Sequence, residues 1–98
     1  MQEPIEETQE GLTVTVCVVN DQGLHARPAA RLAQEAQKFG AELFLVMDGT
    51  EVDAKSILDI LSLAAAKGTR LTLRGVGADA HHALEHLSAL FRNRFREE

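Results

Sequence analysis

The sequence alternates between two apolar patterns, one repeating every second residue and one repeating every three to four residues. The first pattern is typical of a strand with one buried face, and the second of an amphipathic helix. Residues 12 to 19, LTVTVCVV, place leucine and valine on one side and threonine and cysteine on the other. Because each patterned segment buries only one face, the segments must cover one another in layers.

Turn and capping residues divide the chain into seven predicted elements. Asn20 to Gly23 form a turn sequence, and Asp48-Gly49 is a strong hairpin signal. Ser56 followed by Asp59 has the spacing of a helix capping box. The elements are a strand at 12–19, a helix of about three turns with Gly40 as its C-cap, strands at 42–46 and around 51–54, a helix at 56–67, a strand at 70–74 and a helix from 79 onward. The order β-α-β-β-α-β-α predicts a two-layer α/β (α+β) domain with every helix on the same side.

The first ten residues differ in charge from the rest of the chain. They hold four glutamates and no lysine or arginine, which predicts an acidic, disordered extension at 1–10 and a folded domain at 11–98. The remaining residues include ten basic and eleven acidic side chains. A body so close to neutrality lacks the basic surface of a nucleic-acid binder, so we expect no nucleic-acid partner.

The sequence carries no signal for export or membrane insertion. Its acidic start is the opposite of a signal or transit peptide. No apolar stretch approaches the roughly 18 residues of a membrane span. We therefore expect a cytoplasmic protein that does not enter the membrane, with a monomer as the default state.

Metal ligands are sparse. Cys17 is the one cysteine, so it forms no internal disulfide and anchors no structural zinc site. His82 and His86 have the i,i+4 spacing of two ligands, but the apolar pattern of the third helix turns both towards solvent and no third ligand is apparent. The sequence predicts no metal site and no cofactor.

The segment with the most chemical content is Gly23-Leu24-His25-Ala26-Arg27-Pro28-Ala29, where the first turn enters the first helix. Proline belongs in a first helical turn, so the N-cap falls within His25 to Arg27. Free backbone N–H groups and the helix dipole favour an anion there, and Arg27 adds charged donors. A neutral imidazole so placed is a nucleophile for a phosphoryl group. The pattern alone also fits a turn histidine and a solvated arginine without a chemical role.

Two segments carry a family resemblance. GLHARPAA at 23–30 and AKSILDILSLAAAKG at 54–68 resemble the active-site and second-helix signatures of one family, at the expected separation. That family is the histidine-containing phosphocarrier protein, or HPr, of the bacterial phosphoenolpyruvate-dependent phosphotransferase system. The resemblance covers residues 12 to about 93. It implies an HPr-like open-faced β-sandwich, a four-stranded antiparallel sheet with three helices on one face.

The resemblance also implies a role for the first helix start. His25 would accept a phosphoryl group on Nδ1 from Enzyme I, which takes it from phosphoenolpyruvate, and would pass it to a IIA protein or domain. Arg27 would balance the phosphate charge, while the N–H groups of Ala26 and Arg27 would bind it. The chain would then be a carrier and not a stand-alone enzyme.

Ser56 has two compatible interpretations. As an N-cap it satisfies backbone N–H groups at the start of the second helix. As a match to the family's regulatory serine, it would be phosphorylated by the ATP-dependent HPr kinase/phosphorylase. Regulated members often carry glycine where this chain has Asp59 and Ala64, and the charge of Asp59 would repel a phosphate on Ser56.

The second helix is too apolar to bury all its large side chains. If Ile60, Leu63 and Ala64 face the sheet, Leu58 and Leu61 look outward. The other orientation buries Ile57, Ile60, Leu61 and Ala64 and leaves Leu58 and Leu63 outside. The residues proposed as a partner-docking patch are Ile57, Leu58 and Leu61.

Other functions are also compatible with parts of the sequence. The tail FRNRFREE faintly resembles a nitrogen-related branch of the family, with a regulatory role, while Lys55-Ser56-Ile57 resembles the sugar-transport branch. A purely regulatory relative would signal through Ser56, although such proteins are expected to lose the carrier histidine. A structural or small-ligand-binding domain would leave the match around His25 a coincidence.

Overall fold

The computed structural model describes residues 4–96. Five strands and three helices are present in this part of the chain, followed by a short 3-10 turn. The strands are β1 (Glu6–Thr8), β2 (Gly11–Cys17), β3 (Glu42–Met47), β4 (Thr50–Asp53) and β5 (Arg70–Val76), the helices are α1 (Ala26–Ala36), α2 (Ile57–Ser62) and α3 (Ala80–Arg92), and the 3-10 turn is Arg94–Arg96.

The strands form one antiparallel sheet in the order β1-β2-β5-β3-β4. Val14 on β2 lies opposite Leu73 on β5, which lies opposite Leu45 on β3, and all three are buried. The helices pack on the face that carries this row, because period two sends alternate side chains to one side. An antiparallel sheet with three helices on one face is confirmed.

The fifth strand corrects two predictions. The sequence predicted four strands and a disordered segment at 1–10, yet Glu6–Thr8 pair with β2, with Glu6 opposite Thr13 and Thr8 opposite Gly11. Residues 1–3 lie outside the described residues. Ladder pairing uses backbone groups, so an acidic segment can form a strand with little apolar signal of its own. Ile5 adds a partly buried contact with the core.

Two helices end earlier than predicted. α1 ends at Ala36 with Gln37 as its C-cap, so Gly40 is not the cap. α2 ends at Ser62 with Leu63 as its C-cap, and the alanines that follow are not helical. Ala64 has a φ of 50°, a left-handed conformation that glycine adopts more readily. The apolar run that predicted a helix to residue 67 therefore includes residues that are not helical, of which Leu63 and Ala65 are buried.

A buried acid joins α1 to α3. Glu35 is 8% exposed, and its Oε1 lies 2.6 Å from Nε2 of His86. Lys38 Nζ lies 3.0 Å from Oε2, and Arg31 Nε lies 3.5 Å from the same oxygen. The hydrogen bonds with His86 and then Lys38 are the main causes that lower the pKa of Glu35 to about 2. The carboxylate is thus held in its charged form between two helices.

This contact predicts acid sensitivity. Because the pKa of Glu35 is lower in the folded chain than in the unfolded chain, its contribution to stability is complete above about pH 4.5 and is lost as the pH falls towards about 2. Glu35→Gln should remove roughly 1 to 3 kcal/mol at pH 6 and flatten the decline of unfolding free energy between pH 5 and pH 2.5. Urea unfolding at a series of pH values measures this.

Glu85→Gln is the matched control for this experiment, because Glu85 lies exposed on α3, 3.7 Å from His81. It should follow the wild-type curve. A Glu35→Gln curve parallel to wild type would show that Glu35 does not carry the acid dependence.

Candidate functional site

The loop between β2 and α1 is fixed at its start by the chain that leads into β5. The N–H of Val18 donates to the carbonyl of Thr69 at 2.9 Å, and the N–H of Gly68 donates to the carbonyl of Val18 at 2.7 Å. The N–H of Gly23 then donates to the carbonyl of Asn20 at 3.0 Å and closes the predicted turn. The backbone of this loop is therefore tied to the sheet before it reaches the helix.

A second backbone contact with this loop comes from the segment after α2. The N–H of Leu24 donates to the carbonyl of Ala65 at 2.9 Å, and Leu24 is 3% exposed. Gly23 has a φ of 72°, and a Cβ there would lie 2.4 Å from the oxygen of Ala65. Only glycine fits this conformation and this close approach. Ala65 is itself buried, so the apolar run after α2 packs against this loop without being helical.

His25 is the N-cap of α1, within the predicted range. Its carbonyl accepts the N–H of Ala29 at 3.0 Å, and its half-buried side chain makes no capping hydrogen bond to the helix. Ala26 and Arg27, both exposed, occupy the first helical positions, and Pro28 supplies no N–H. The first-turn N–H groups lie where helices have no internal acceptor.

The charges around this helix start favour an anion. The first turn of α1 holds no acidic residue and contains Arg27. The helix dipole adds partial positive charge at the same end. His25, Ala26 and Arg27 therefore meet at one helix terminus, as predicted, and the arrangement suits a phosphoryl group next to an imidazole.

Ser56 lies at the start of the other short helix. Its Oγ accepts the N–H of Asp59 at 3.2 Å, which confirms its predicted role as N-cap of α2. The carboxylate of Asp59 does not return to Ser56 as in a full capping box, and accepts the N–H of Asp53 at 3.2 Å instead. Lys55 holds this turn against the segment that follows α1, because its Nζ donates to the carbonyl of Phe39 at 2.8 Å.

The exposed apolar surface of α2 lies at its first turn. Leu58 is 75% exposed and Ile57 is 37% exposed, whereas Ile60 and Leu63 are buried. Of the two predicted orientations this is nearer the first, but Ala64, predicted to face the sheet, is exposed, and Leu61, predicted to look outward, is half-buried. Leu61 is half-buried and packs against the core, so it contributes less surface to the predicted docking patch than Ile57 and Leu58.

α2 separates the two predicted sites. Ser56 caps its first turn, while Ala65, just beyond its end, holds the His25 loop. Six helical residues span about 9 Å. Ser56 and His25 are thus not in one cluster, and the exposed Ile57 and Leu58 lie on the element between them.

The paired histidines of α3 have structural partners. Both are exposed, as predicted, yet His86 binds Glu35, and the ring of Phe39 lies 5.6 Å from that of His82 and 5.7 Å from that of His86. Within residues 4–96, no three His, Cys, Asp or Glu side chains are grouped to hold a metal ion.

One charged cluster near the His25 loop had no sequence signal. Asp21 Oδ1 lies 2.9 Å from Lys67 Nζ and 3.6 Å from Arg94 Nη2, and the hydrogen bond with Lys67 is the main cause that lowers the pKa of Asp21. Asn20 Nδ2 donates to the carbonyl of Arg94 at 2.8 Å. These contacts join residues that are 46 and 74 positions apart, which no local pattern reveals.

No helix between residues 4 and 96 is long and apolar enough to cross a membrane.

Comparison with known proteins gives a consistent result. Residues 12–93 match the family described as PTS HPr component phosphorylation site. The chain is 47% identical over 81 residues to phosphocarrier protein HPr of Xylella fastidiosa. The aligned region covers 83% of this chain and 91% of the relative. A solved structure of HPr from Thermoanaerobacter tengcongensis aligns with a TM-score of 0.84 at 40% identity, covering 88% of this chain and 97% of that one.

A third similar protein comes from Bacillus subtilis. A crystal structure of Crh, the Bacillus subtilis catabolite repression HPr, aligns with a TM-score of 0.69 at 46% identity, covering 81% of this chain and 91% of that one. That Crh structure is described as a dimer with a swapped domain.

The close approach of Gly23 to the Ala65 carbonyl leads to a prediction about stability. Gly23→Ala should destabilise the fold by roughly 2 to 4 kcal/mol, because the new Cβ adds a backbone clash to the left-handed penalty. Gly49→Ala is the matched control, since Gly49 has a φ of 83° and a Cβ there would meet no atom within 4 Å. It should cost only about 1 kcal/mol. Equal losses in urea unfolding would contradict the proposed steric role of the Ala65 carbonyl.

Proposed function

The chain belongs to the HPr family of phosphocarrier proteins of the phosphotransferase system, and on this basis we propose that His25 accepts a phosphoryl group from phospho-Enzyme I and passes it to a IIA protein or domain. HPr proteins act as phosphoryl carriers and are not stand-alone catalysts. The observation that carries the assignment to His25 is its position as N-cap of α1, beside Arg27.

The transfer step fits the geometry of the helix start. The lone pair of Nδ1 attacks phosphorus, and the bond between phosphorus and Enzyme I breaks as the Nδ1–P bond forms. In the second transfer a nucleophile of the IIA protein attacks phosphorus, and the Nδ1–P bond of His25 breaks as the new bond forms. The incoming charge is received by the N–H groups of Ala26 and Arg27, by the dipole of α1 and by the guanidinium of Arg27.

The exposure of these groups suits a carrier. Ala26 and Arg27 are solvent-exposed, so their stabilisation of a phosphate is moderate, with a helix terminus typically contributing about 0.3 to 1 kcal/mol. A phosphoryl group held much more tightly would not be passed on. Moderate stabilisation lets the group bind and leave at similar free energy.

Partners would dock on the apolar first turn of α2. Ile57 and Leu58 are exposed, and α2 is joined to the His25 loop through Ala65. A small apolar patch on the helix whose far end contacts the His25 loop supports short-lived complexes, which a carrier with several partners needs. Leu61 supports this patch from its half-buried position.

Ser56 is the proposed regulatory site for HPr kinase/phosphorylase. A phosphate there would add about −1.5 to −2 charge at the start of α2, where the helix dipole is favourable. Asp59 opposes this phosphate because its negative carboxylate lies in the same helical turn. Its N–H donates to Ser56 Oγ, so the two residues are in contact. The chain thus combines a suitable helix position with a local acidic penalty.

The carrier is proposed to be cytoplasmic and monomeric. The alternative assembly is a dimer like the one described for Crh. Its acceptor is a sugar-branch IIA protein; the nitrogen branch is the alternative. Supplying both classes of IIA protein to the phosphorylated chain and comparing transfer rates distinguishes the branches.

The function predicts a histidine-dependent adduct. After incubation with Enzyme I and phosphoenolpyruvate, intact-protein mass should show one phosphoryl group that brief acid treatment removes. His25→Ala should abolish it, because the nucleophile is gone, while circular dichroism remains that of the folded chain. His81→Ala is the control, since His81 is an exposed histidine on α3, and it should be phosphorylated like wild type. An acid-labile adduct that persists in His25→Ala would overturn the assignment.

The regulatory proposal predicts an effect of Asp59. With ATP and HPr kinase/phosphorylase, the chain should gain an acid-stable phosphoryl group that Ser56→Ala lacks. Asp59→Asn should raise its rate of formation several-fold by removing a nearby negative charge. Asp48→Asn, in the turn between β3 and β4, should leave the rate unchanged. An unchanged rate in Asp59→Asn would show that this carboxylate does not limit phosphorylation.

A further inference from the structure

Asn20 is a buried polar residue at the start of the loop that carries His25. It is 3% exposed, whereas the side chain of Asp21 beside it is 75% exposed. The backbone carbonyl of Asn20 accepts the N–H of Gly23 and closes the turn, which requires no particular side chain. Burial of a side-chain amide costs free energy unless the amide is hydrogen-bonded. The buried side chain of Asn20 therefore has a role beyond the turn.

The partner of this side chain is the backbone of the 3-10 turn that follows α3. Nδ2 of Asn20 donates to the carbonyl of Arg94 at 2.8 Å. Arg94 and Phe95 have φ values of 54° and 55°, left-handed conformations that residues with a Cβ rarely adopt. Two such residues in succession are strained, and they persist only where surrounding contacts hold them.

Contacts with two parts of the fold hold this strained turn. Phe95 is 4% exposed, and its ring lies 4.9 Å from that of Phe91 on α3. Nη2 of Arg94 lies 3.6 Å from Oδ1 of Asp21, next to the hydrogen bond from Asn20. The first contact joins the turn to α3, and the other two join it to the His25 loop. The strained turn is thus a bridge between the end of α3 and that loop.

The contact of Asn20 lies between the two backbone contacts of the loop. The loop is bonded to the rest of the fold through Val18 at its start and Leu24 at its end. Asn20 lies between them, so its bond to Arg94 holds the turn itself. His25 follows Leu24 directly, and its side chain makes no capping hydrogen bond to α1, so the direction of the imidazole depends on where this backbone lies. In group transfer, a shift of about 1 Å in a reacting group lowers the rate by up to roughly 100-fold.

We propose that Asn20 is a positioning residue for phosphoryl transfer at His25, because its buried amide anchors the turn before His25 to the strained backbone at Arg94. This inference rests on the carrier role proposed for His25. Asn20 acts through the backbone from which Nδ1 attacks and needs no contact with the phosphoryl group. The strain at Arg94 and Phe95 places a carbonyl where the amide of Asn20 binds it, so the turn after α3 contributes to the carrier site.

The test compares two substitutions of Arg94 in the full-length chain. Arg94→Pro excludes the left-handed conformation, since proline fixes φ at about −65°, and so moves the carbonyl that Asn20 binds. Arg94→Gly also removes the guanidinium, but glycine adopts a φ of 54° without steric cost and keeps the carbonyl in place. Asn20→Ala removes the donor directly.

Glu35→Gln is the control for loss of stability. It weakens the fold at the last turn of α1, at the other end of the helix from His25. For each variant, kcat and KM are measured for phosphorylation by phospho-Enzyme I, and circular dichroism checks that the variant is folded. Amide hydrogen exchange at Gly23, compared with that of β5, reports on the loop without any phosphoryl group.

Asn20→Ala and Arg94→Pro should each lower kcat roughly 10-fold and leave KM unchanged, because the apolar first turn of α2 still binds the partner. Exchange at Gly23 should accelerate relative to β5 in both variants. The double variant should be no slower than either single variant, since both substitutions remove the same contact. Arg94→Gly and Glu35→Gln should keep the wild-type kcat and the wild-type ratio of exchange rates.

Three outcomes would overturn the proposal: a folded Asn20→Ala variant with the wild-type kcat, a change in KM alone, or the same kcat in Arg94→Pro and Arg94→Gly. If Asn20→Ala does not fold, the comparison of the two Arg94 variants decides the question. A wild-type chain that accepts no phosphoryl group would overturn the carrier role and this inference with it. The exchange at Gly23 would then still show whether Asn20 anchors the loop, so the two failures are distinguishable.

Discussion

The need to cover one face of the sheet determines where the functional groups lie. Val14, Leu73 and Leu45 form a buried row across three strands, and the helices must cross above it. The chain leaving β2 must therefore turn back over the sheet at once to begin α1. That turn places the N-terminus of α1 at the rim, with His25 as its N-cap. The site is a consequence of the shortest path from a strand to the helix that covers it.

An exposed reactive group still needs a rigid backbone, and this part of the structure depends on contacts distant in sequence. The Leu24 N–H reaches the Ala65 carbonyl, and only a residue without a Cβ at Gly23 permits that approach. Local patterns predicted the strand β2, the N-cap near His25 and the cap at Ser56, because each depends on neighbouring residues. They did not predict the inward turn at Ala65, since an alanine run has the same apolar signal whether it forms a helix or packs as a loop.

The same distinction explains the other differences from the sequence predictions. β1 forms through backbone pairing with β2, so its acidic composition argued for disorder and gave no sign of a strand. Glu35 and His86 lie on different helices, and only the packing of α1 against α3 brings them to 2.6 Å. Both features depend on geometry between elements, whereas composition and periodicity describe each element by itself. The resemblance to a known family supplied the role of His25, which periodicity could not.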